Sequence, residues 1–209
     1  MRFVASVPDI SFIPAALASG ADVIEVRLDL TGSVSPEEAN ATFRDLTVPL
    51  IFTVRSAAEG GMFAGGPEEW WDMVRPCLPY ATFIDVERSF RSFAPVLRRE
   101  KKTIIASFHT PSMPDPGSLE ALRQDLAGYG DIPKIVVGPR SEEDVLSLLS
   151  FTLHAEKPII TSVMGSRFSF IRLMLPFFGS SFIYCHAGSP AAEGQIHLSR
   201  AREIMGLFR

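Results

Sequence analysis

Cysteine is scarce in this chain of 209 residues: there are two, Cys77 and Cys185, far apart and matching no metal-ligand spacing. That usage predicts a reduced, cytoplasmic setting. Excess charge is lacking as well. Lys and Arg number 20 against 24 Asp and Glu, and a net charge of −4 gives no electrostatic case for nucleic acid or an anionic membrane as the main partner. No apolar run approaches the roughly 20 residues of a membrane span. The opening Met1–Arg2–Phe3–Val4–Ala5–Ser6–Val7 enters a strand-like run without the h-region and cleavage site of a signal peptide. Neither GxGxxG after the first strand nor GxxxxGK(S/T) occurs, which counts against a nucleotide-binding open sheet. The four histidines, His109, His154, His186 and His197, are scattered at spacings that make no metal site.

What is present is ordinary globular composition, 46% hydrophobic and 21% charged, with enough apolar material for one sizeable core. Short β-branched runs recur at Phe3–Val7, Val23–Leu28, Leu50–Val54, Thr82–Val86, Thr103–Ser107, Lys134–Val137, Ile159–Val163 and Phe182–Cys185. Helix starts stand between them. Ser35–Pro36–Glu37–Glu38 supplies a cap, a first-turn proline and acids, and Gly66–Pro67–Glu68–Glu69 repeats the proline and acids. Ser141–Glu142–Glu143–Asp144 opens a segment with Val145, Leu148, Leu149 and Thr152 on one helical face, and Leu198–Phe208 reads as a last helix. Eight strand–helix alternations without a compositional break predict an α/β fold, a single (β/α)8 TIM barrel over residues 1–209. Chemistry on such a barrel belongs at the C-terminal strand ends.

The polar residues there include Ser6, Glu25, Arg27, Arg55, Asp85, Glu87, Ser107, His109 and Lys134. Lys134 interrupts the buried run Ile132–Gly138. An unpaired buried ammonium is expensive, so such a lysine either carries its head out to water or loses its proton and becomes a nucleophile toward carbonyl carbon. His109 is the best general acid–base candidate, or else a ring that simply bonds a neighbouring loop; His186 is its rival, while His154 and His197 fall in helices. Arg27 and Arg55, with Glu25 and Glu59 near them, either hold a polyhydroxylated acid or satisfy polar positions in the barrel interior. The stretch Glu59–Gly66 reads as a turn or lid rather than a phosphate cradle. Trp70–Trp71 packs on the barrel exterior or at a subunit contact.

Taken together, Glu25–Val26–Arg27–Leu28–Asp29, Thr53–Val54–Arg55–Ser56 with Glu59–Gly60–Gly61, Ser107–Phe108–His109, Lys134, Met164–Gly165 and Gly194–Gln195–Ile196 occur in one order along the whole chain. The chain thereby resembles the type I 3-dehydroquinate dehydratases, in their short archaeal form. These are Schiff-base enzymes of the shikimate pathway of aromatic amino acid biosynthesis. The resemblance implies a lyase that eliminates water from 3-dehydroquinate to give 3-dehydroshikimate, with no metal or organic cofactor, as a cytoplasmic homodimer. It implies that Lys134 forms the imine, that His109 accepts and donates the proton and that Glu59 orients the histidine. It implies further that Glu25, Arg27 and Arg55 bind ring hydroxyls with Ser6 close by, that Arg172 binds the carboxylate and that Gln195 closes over the substrate.

The sequence departs from the family pattern in two places. The seventh-strand motif reads Met164–Gly165–Ser166–Arg167–Phe168–Ser169–Phe170–Ile171–Arg172, and Arg172 keeps its assignment. The last loop, SAPGQ in the family, reads Ala191–Ala192–Glu193–Gly194–Gln195; its serine is missing, with Ser189 a partial substitute, and an acid stands near an anionic substrate. Two other functions fit parts of the pattern. A class I aldolase needs a phosphate site after the last two strands, but Arg172 and the Glu25/Arg27 pair suit a carboxylate and hydroxyls better. A catalytically dead scaffold fits the altered loop, but not the intact Lys134, His109 and Glu59.

Overall fold

The β-branched runs form eight parallel strands in a computed structural model, which describes residues 1–208. They are β1 (Arg2–Val7), β2 (Val23–Arg27), β3 (Leu50–Thr53), β4 (Phe83–Glu87), β5 (Thr103–Thr110), β6 (Ile132–Val137), β7 (Ile160–Val163) and β8 (Phe182–Cys185). Their boundaries fall close to those the sequence predicts, with one informative exception. β5 runs on to Thr110, so His109 lies within the strand, opposite Val136 of β6.

The sheet order is β7-β6-β5-β4-β3-β2-β1-β8, a (β/α)8 barrel. First and last strands join through a full ladder from Arg2↔Phe182 to Ala5↔Cys185. The join between β7 and β8 is thinner: one bridge, Ile159↔Ser180, with the Ser181 amide donating to the Ile159 carbonyl at 2.8 Å. The buried Ser180 hydroxyl completes it, accepting from the Thr161 amide at 3.1 Å and donating to the Thr161 carbonyl at 3.2 Å. A side chain there does the work of a strand.

Side chains alternate across a strand, so the inward face reads every second residue. Val4, Val23, Ile51, Phe83, Ile105, Ile160 and Phe182 form a closed apolar plug inside the barrel. Two residues further along each of those strands stand Ser6, Glu25, Thr53, Asp85, Ser107, Ser162 and Tyr184, with Lys134 on β6 in the same layer. The alternate residues face outward into the larger core beneath the helices.

The helices begin where the sequence marks them. Ser35 and Ser141 each form a capping box, opening helices Pro36–Phe43 and Glu142–His154. Glu69 accepts from the Gly66 amide at the start of Pro67–Val74. Val145, Leu148 and Thr152 are buried on one face, as their spacing predicts. The last helix is Leu198–Gly206, and His197 caps it rather than lying inside it. Trp70 is fully buried outside the strands, stacked on Phe90 and Phe93 at 5.2 Å, and the half-buried Trp71 stacks on Phe93. Among the described residues no helix is long and apolar enough to cross a membrane.

Candidate active site

Above the polar layer a cavity of about 260 Å³ opens at the C-terminal ends of the strands. Lys134 lies at its wall, 4% exposed, and the expectation of a head carried out to water does not hold. The side chain does not reach out to water, and it is not unpaired. Its Nζ donates to Asp85 Oδ2 at 2.9 Å and lies 3.7 Å from Glu25 Oε1. The Tyr184 ring covers it with its centroid 4.1 Å away. Asp85 also accepts from Arg55 at 2.7 Å and from the Ser107 hydroxyl at 2.5 Å. Burial alone would push the Asp85 carboxyl up, but Arg55, Lys134 and these hydrogen bonds prevail and hold it at about 2. Asp85 is therefore a fixed counter-ion rather than a proton acceptor.

His109 and Glu59 form the second element. Glu59 Oε2 lies 2.9 Å from His109 Nδ1, accepts the His109 amide at 3.0 Å and receives Arg55 at 3.2 Å. With Nδ1 engaged, the other ring nitrogen is left for chemistry. Burial holds the imidazole neutral, well below its ordinary value, with Arg55, Lys134 and Arg27 adding to the push. Burial pushes the Glu59 carboxyl up to about 8, Glu87 and Asp85 adding to this and Arg55 opposing it. Acid and imidazole in such contact titrate as one unit. The glycine stretch is a tight turn that aims Glu59, not a loose lid: a Cβ at Gly61 would meet the Arg55 carbonyl oxygen at 2.1 Å. The Phe63 amide donates to that same carbonyl at 3.1 Å.

Arg172 is buried and forms no ion pair among the described residues. Its guanidinium donates to the Val163 carbonyl at 3.1 and 2.7 Å and to the Glu193 carbonyl at 2.9 Å. A positive charge held by neutral acceptors at a cavity wall suits an anion. Burial lowers it only to about 10, so it stays charged at neutral pH. Arg27 is held differently, in a two-pronged pair with Asp29 at 2.8 and 2.7 Å, and reaches the Ala191 carbonyl at 3.3 Å. The last loop is thus tied down by both arginines. Gln195 Oε1 accepts the Ala191 and Ala192 amides at 2.8 and 3.3 Å, so this end of the side chain shapes its own loop. Gly194 has φ +74°, and a Cβ there would meet the Gly165 carbonyl oxygen at 2.3 Å, which packs the loop onto the segment after β7.

Of the residues predicted from sequence, Lys134, His109, Glu59, Glu25, Arg27, Arg55, Arg172 and Gln195 all line the one cavity. Ser6 does not. It is buried behind Glu25 and donates to it, while Thr53 donates to the other oxygen of Glu25 at 2.8 Å. Nor does His186, whose Nδ1 bonds the Gly188 carbonyl at 2.7 Å and whose ring packs on His197. Asp85 and Tyr184 were not assigned roles from sequence. The signal that finds them is the inward register: each stands two residues past a plug residue, Phe83 and Phe182.

Comparison with known proteins agrees with this geometry. The profile of the type I 3-dehydroquinase family matches residues 8–209. The chain is 43% identical over 208 residues to a 3-dehydroquinate dehydratase of Methanoregula boonei, covering 100% of both chains. It is 35% identical to one of Methanospirillum hungatei, covering 100% of this chain and 81% of that one. Its structure is similar to the crystal structure of the 3-dehydroquinate dehydratase from Aquifex aeolicus, with a TM-score of 0.85, 27% identity and coverage of 100% and 99%. A barrel whose wall holds a paired lysine, an acid-oriented histidine and an unpaired arginine, and which matches that profile almost throughout, belongs to the type I 3-dehydroquinase family.

Proposed function

We propose that this cavity dehydrates 3-dehydroquinate to 3-dehydroshikimate through an imine on Lys134. The observation that carries the proposal is the convergence of Lys134, His109 and Arg172 on one small cavity, each in a different electrostatic state. Arg172 takes the substrate carboxylate, and Glu25, Arg27 and Arg55 take ring hydroxyls. The substrate ketone then meets Lys134, whose Nζ bonds the carbonyl carbon while two of its N–H protons pass to the carbonyl oxygen. Loss of that oxygen as water leaves an iminium. Asp85, with its carboxyl held near 2, remains the counter-ion to this cation throughout.

The iminium draws electrons from the adjacent C–H bond. His109 in its neutral form removes that proton, held in orientation by Glu59. The enamine electrons then push out the β-hydroxyl, which leaves with the proton from His109 as water. Hydrolysis of the remaining imine returns Lys134 and releases the conjugated product. Ser6 acts one step back, fixing Glu25.

Borohydride reduction with 3-dehydroquinate tests this directly. Peptide mapping is expected to find a ligand-sized adduct on Lys134, absent in Lys134→Ala and retained without turnover in His109→Ala. An adduct on another residue, or turnover by either variant at the wild-type rate, overturns the assignment.

The proposal extends to a cytoplasmic homodimer. Exposed Leu146, Leu153, Phe170, Met174 and Phe177 on neighbouring helical segments support an apolar contact with a second copy. Sedimentation equilibrium is expected to give twice the chain mass of 22.9 kDa; a single-chain mass at micromolar concentration refutes it.

A further inference from the structure

The face of Tyr184 covers the one nitrogen on which the proposed reaction depends, and none of the assigned roles uses it. Tyr184 is on β8, two strands from Lys134 on β6, and its ring reaches past β7 to bring its centroid within 4.1 Å of Nζ. Three other cations stand over aromatic rings: Arg88 on Phe108 at 5.6 Å, Arg167 on Phe168 at 4.7 Å and Arg202 on Phe3 at 4.5 Å. All three of those arginine side chains are a third or more exposed, whereas that of Lys134 is 5% exposed. A cation over a ring gains most where water is excluded. The Tyr184 hydroxyl is buried and has no hydrogen-bond partner among the described residues, so no polar anchor explains the ring's position. A tyrosine whose hydroxyl is idle and whose face is occupied is acting through its ring.

We infer that Tyr184 is a positioning residue for the imine chemistry, its ring face stabilising positive charge at Lys134 Nζ as the carbinolamine loses water and becomes the iminium. The inference rests on the assignment of the imine to Lys134. Charge balance supports a neutral partner at this place. In the resting site the ammonium faces Asp85 and Glu25, and both the ammonium and the iminium carry one positive charge at the same nitrogen. The two anions attract the ammonium through its N–H bonds. The iminium has lost most of those bonds, and a π face needs none. The ring therefore favours the iminium relative to an all-carboxylate cage, which holds the ammonium hardest.

Three substitutions separate ring from hydroxyl and shape from charge. Tyr184→Phe keeps the face and is expected to trap the adduct at close to the wild-type yield. Tyr184→Leu removes the face and is expected to cut borohydride trapping and kcat by roughly tenfold or more, with KM changed far less. Stepwise fluorination of phenylalanine at position 184 keeps the shape and drains the ring's negative face. Trapping yield is expected to fall with each added fluorine, a response that packing alone does not give. Equal loss in Tyr184→Phe and Tyr184→Leu, or a flat response to fluorine, overturns the inference while the Lys134 adduct in wild type stands. A wild-type chain that gives no adduct on Lys134 removes the imine assignment and this inference with it.

Discussion

Arg55 touches four oxygens at once, on Asp85, Glu87, Glu59 and Ser107, at 2.7 to 3.2 Å. Burial would weaken its charge, but the surrounding carboxylates raise its pKa instead, so this cation is permanent. It acts on His109 in two opposite ways: it anchors the acid that orients the ring, and it repels a proton from the ring. The consequence is a pH profile. In the proposed mechanism neutral imidazole is the reacting form, and lowering the pH removes it only once the folded-state pKa is passed. Because that pKa lies well below 6.5, the acid limb of kcat/KM is expected below pH 6.5. A limb near 8, in a profile recorded with 3-dehydroquinate, would instead assign the controlling titration to Glu59, whose carboxyl burial pushes up to about 8. At this scale Lys134 and His109 were legible in the sequence, because each is chemically out of place in an apolar run. Asp85 and Tyr184 were not, since their meaning depends on what stands on other strands. The expectation of a water-facing lysine failed for the same reason: the partner that makes its burial tolerable is 49 residues away in the chain.

At the scale of elements, the alternation of β-branched runs and capped helices carried nearly the whole architecture. Those runs are buried on both faces and leave a strong local signal, as do Ser35 and Ser141. The longer reach of β5 left none, because Phe108–His109–Thr110 is not apolar; pairing with β6 extends it. The thin join between β7 and β8 was equally silent, since it depends on one serine outside any strand. Ser180→Ala would strand the buried amide and carbonyl of Thr161. Unsatisfied buried groups cost about 1–3 kcal/mol. At roughly 2–4 °C per kcal/mol for a chain of this size, the melting temperature is expected to fall by roughly 2–12 °C. Calorimetry showing no change would mean that water or a shifted backbone satisfies Thr161.

Across the whole molecule, stability and chemistry occupy opposite ends of the barrel. The plug around Phe83 and Phe182, whose rings meet edge to face at 5.7 Å, contains none of the groups assigned to substrate and meets the site through Tyr184, which packs on it. Phe83→Ala is expected to cost about 3–5 kcal/mol in urea unfolding. KM at temperatures where the variant stays folded should barely move; a large rise in KM would show that the plug sets the shape of the cavity. The single thin join between β7 and β8 sits at Ile159 and Ser180, at the start of β7. Seven full ladders and one clasp make the barrel a split ring: it has a place to spring. Ser162 stands on one lip and Tyr184 on the other, both in the cavity wall. A break at the clasp would part the strand that carries Ser162 from the one that carries Tyr184, while the ladder that holds Lys134 to β5 lies two strands away from the cut.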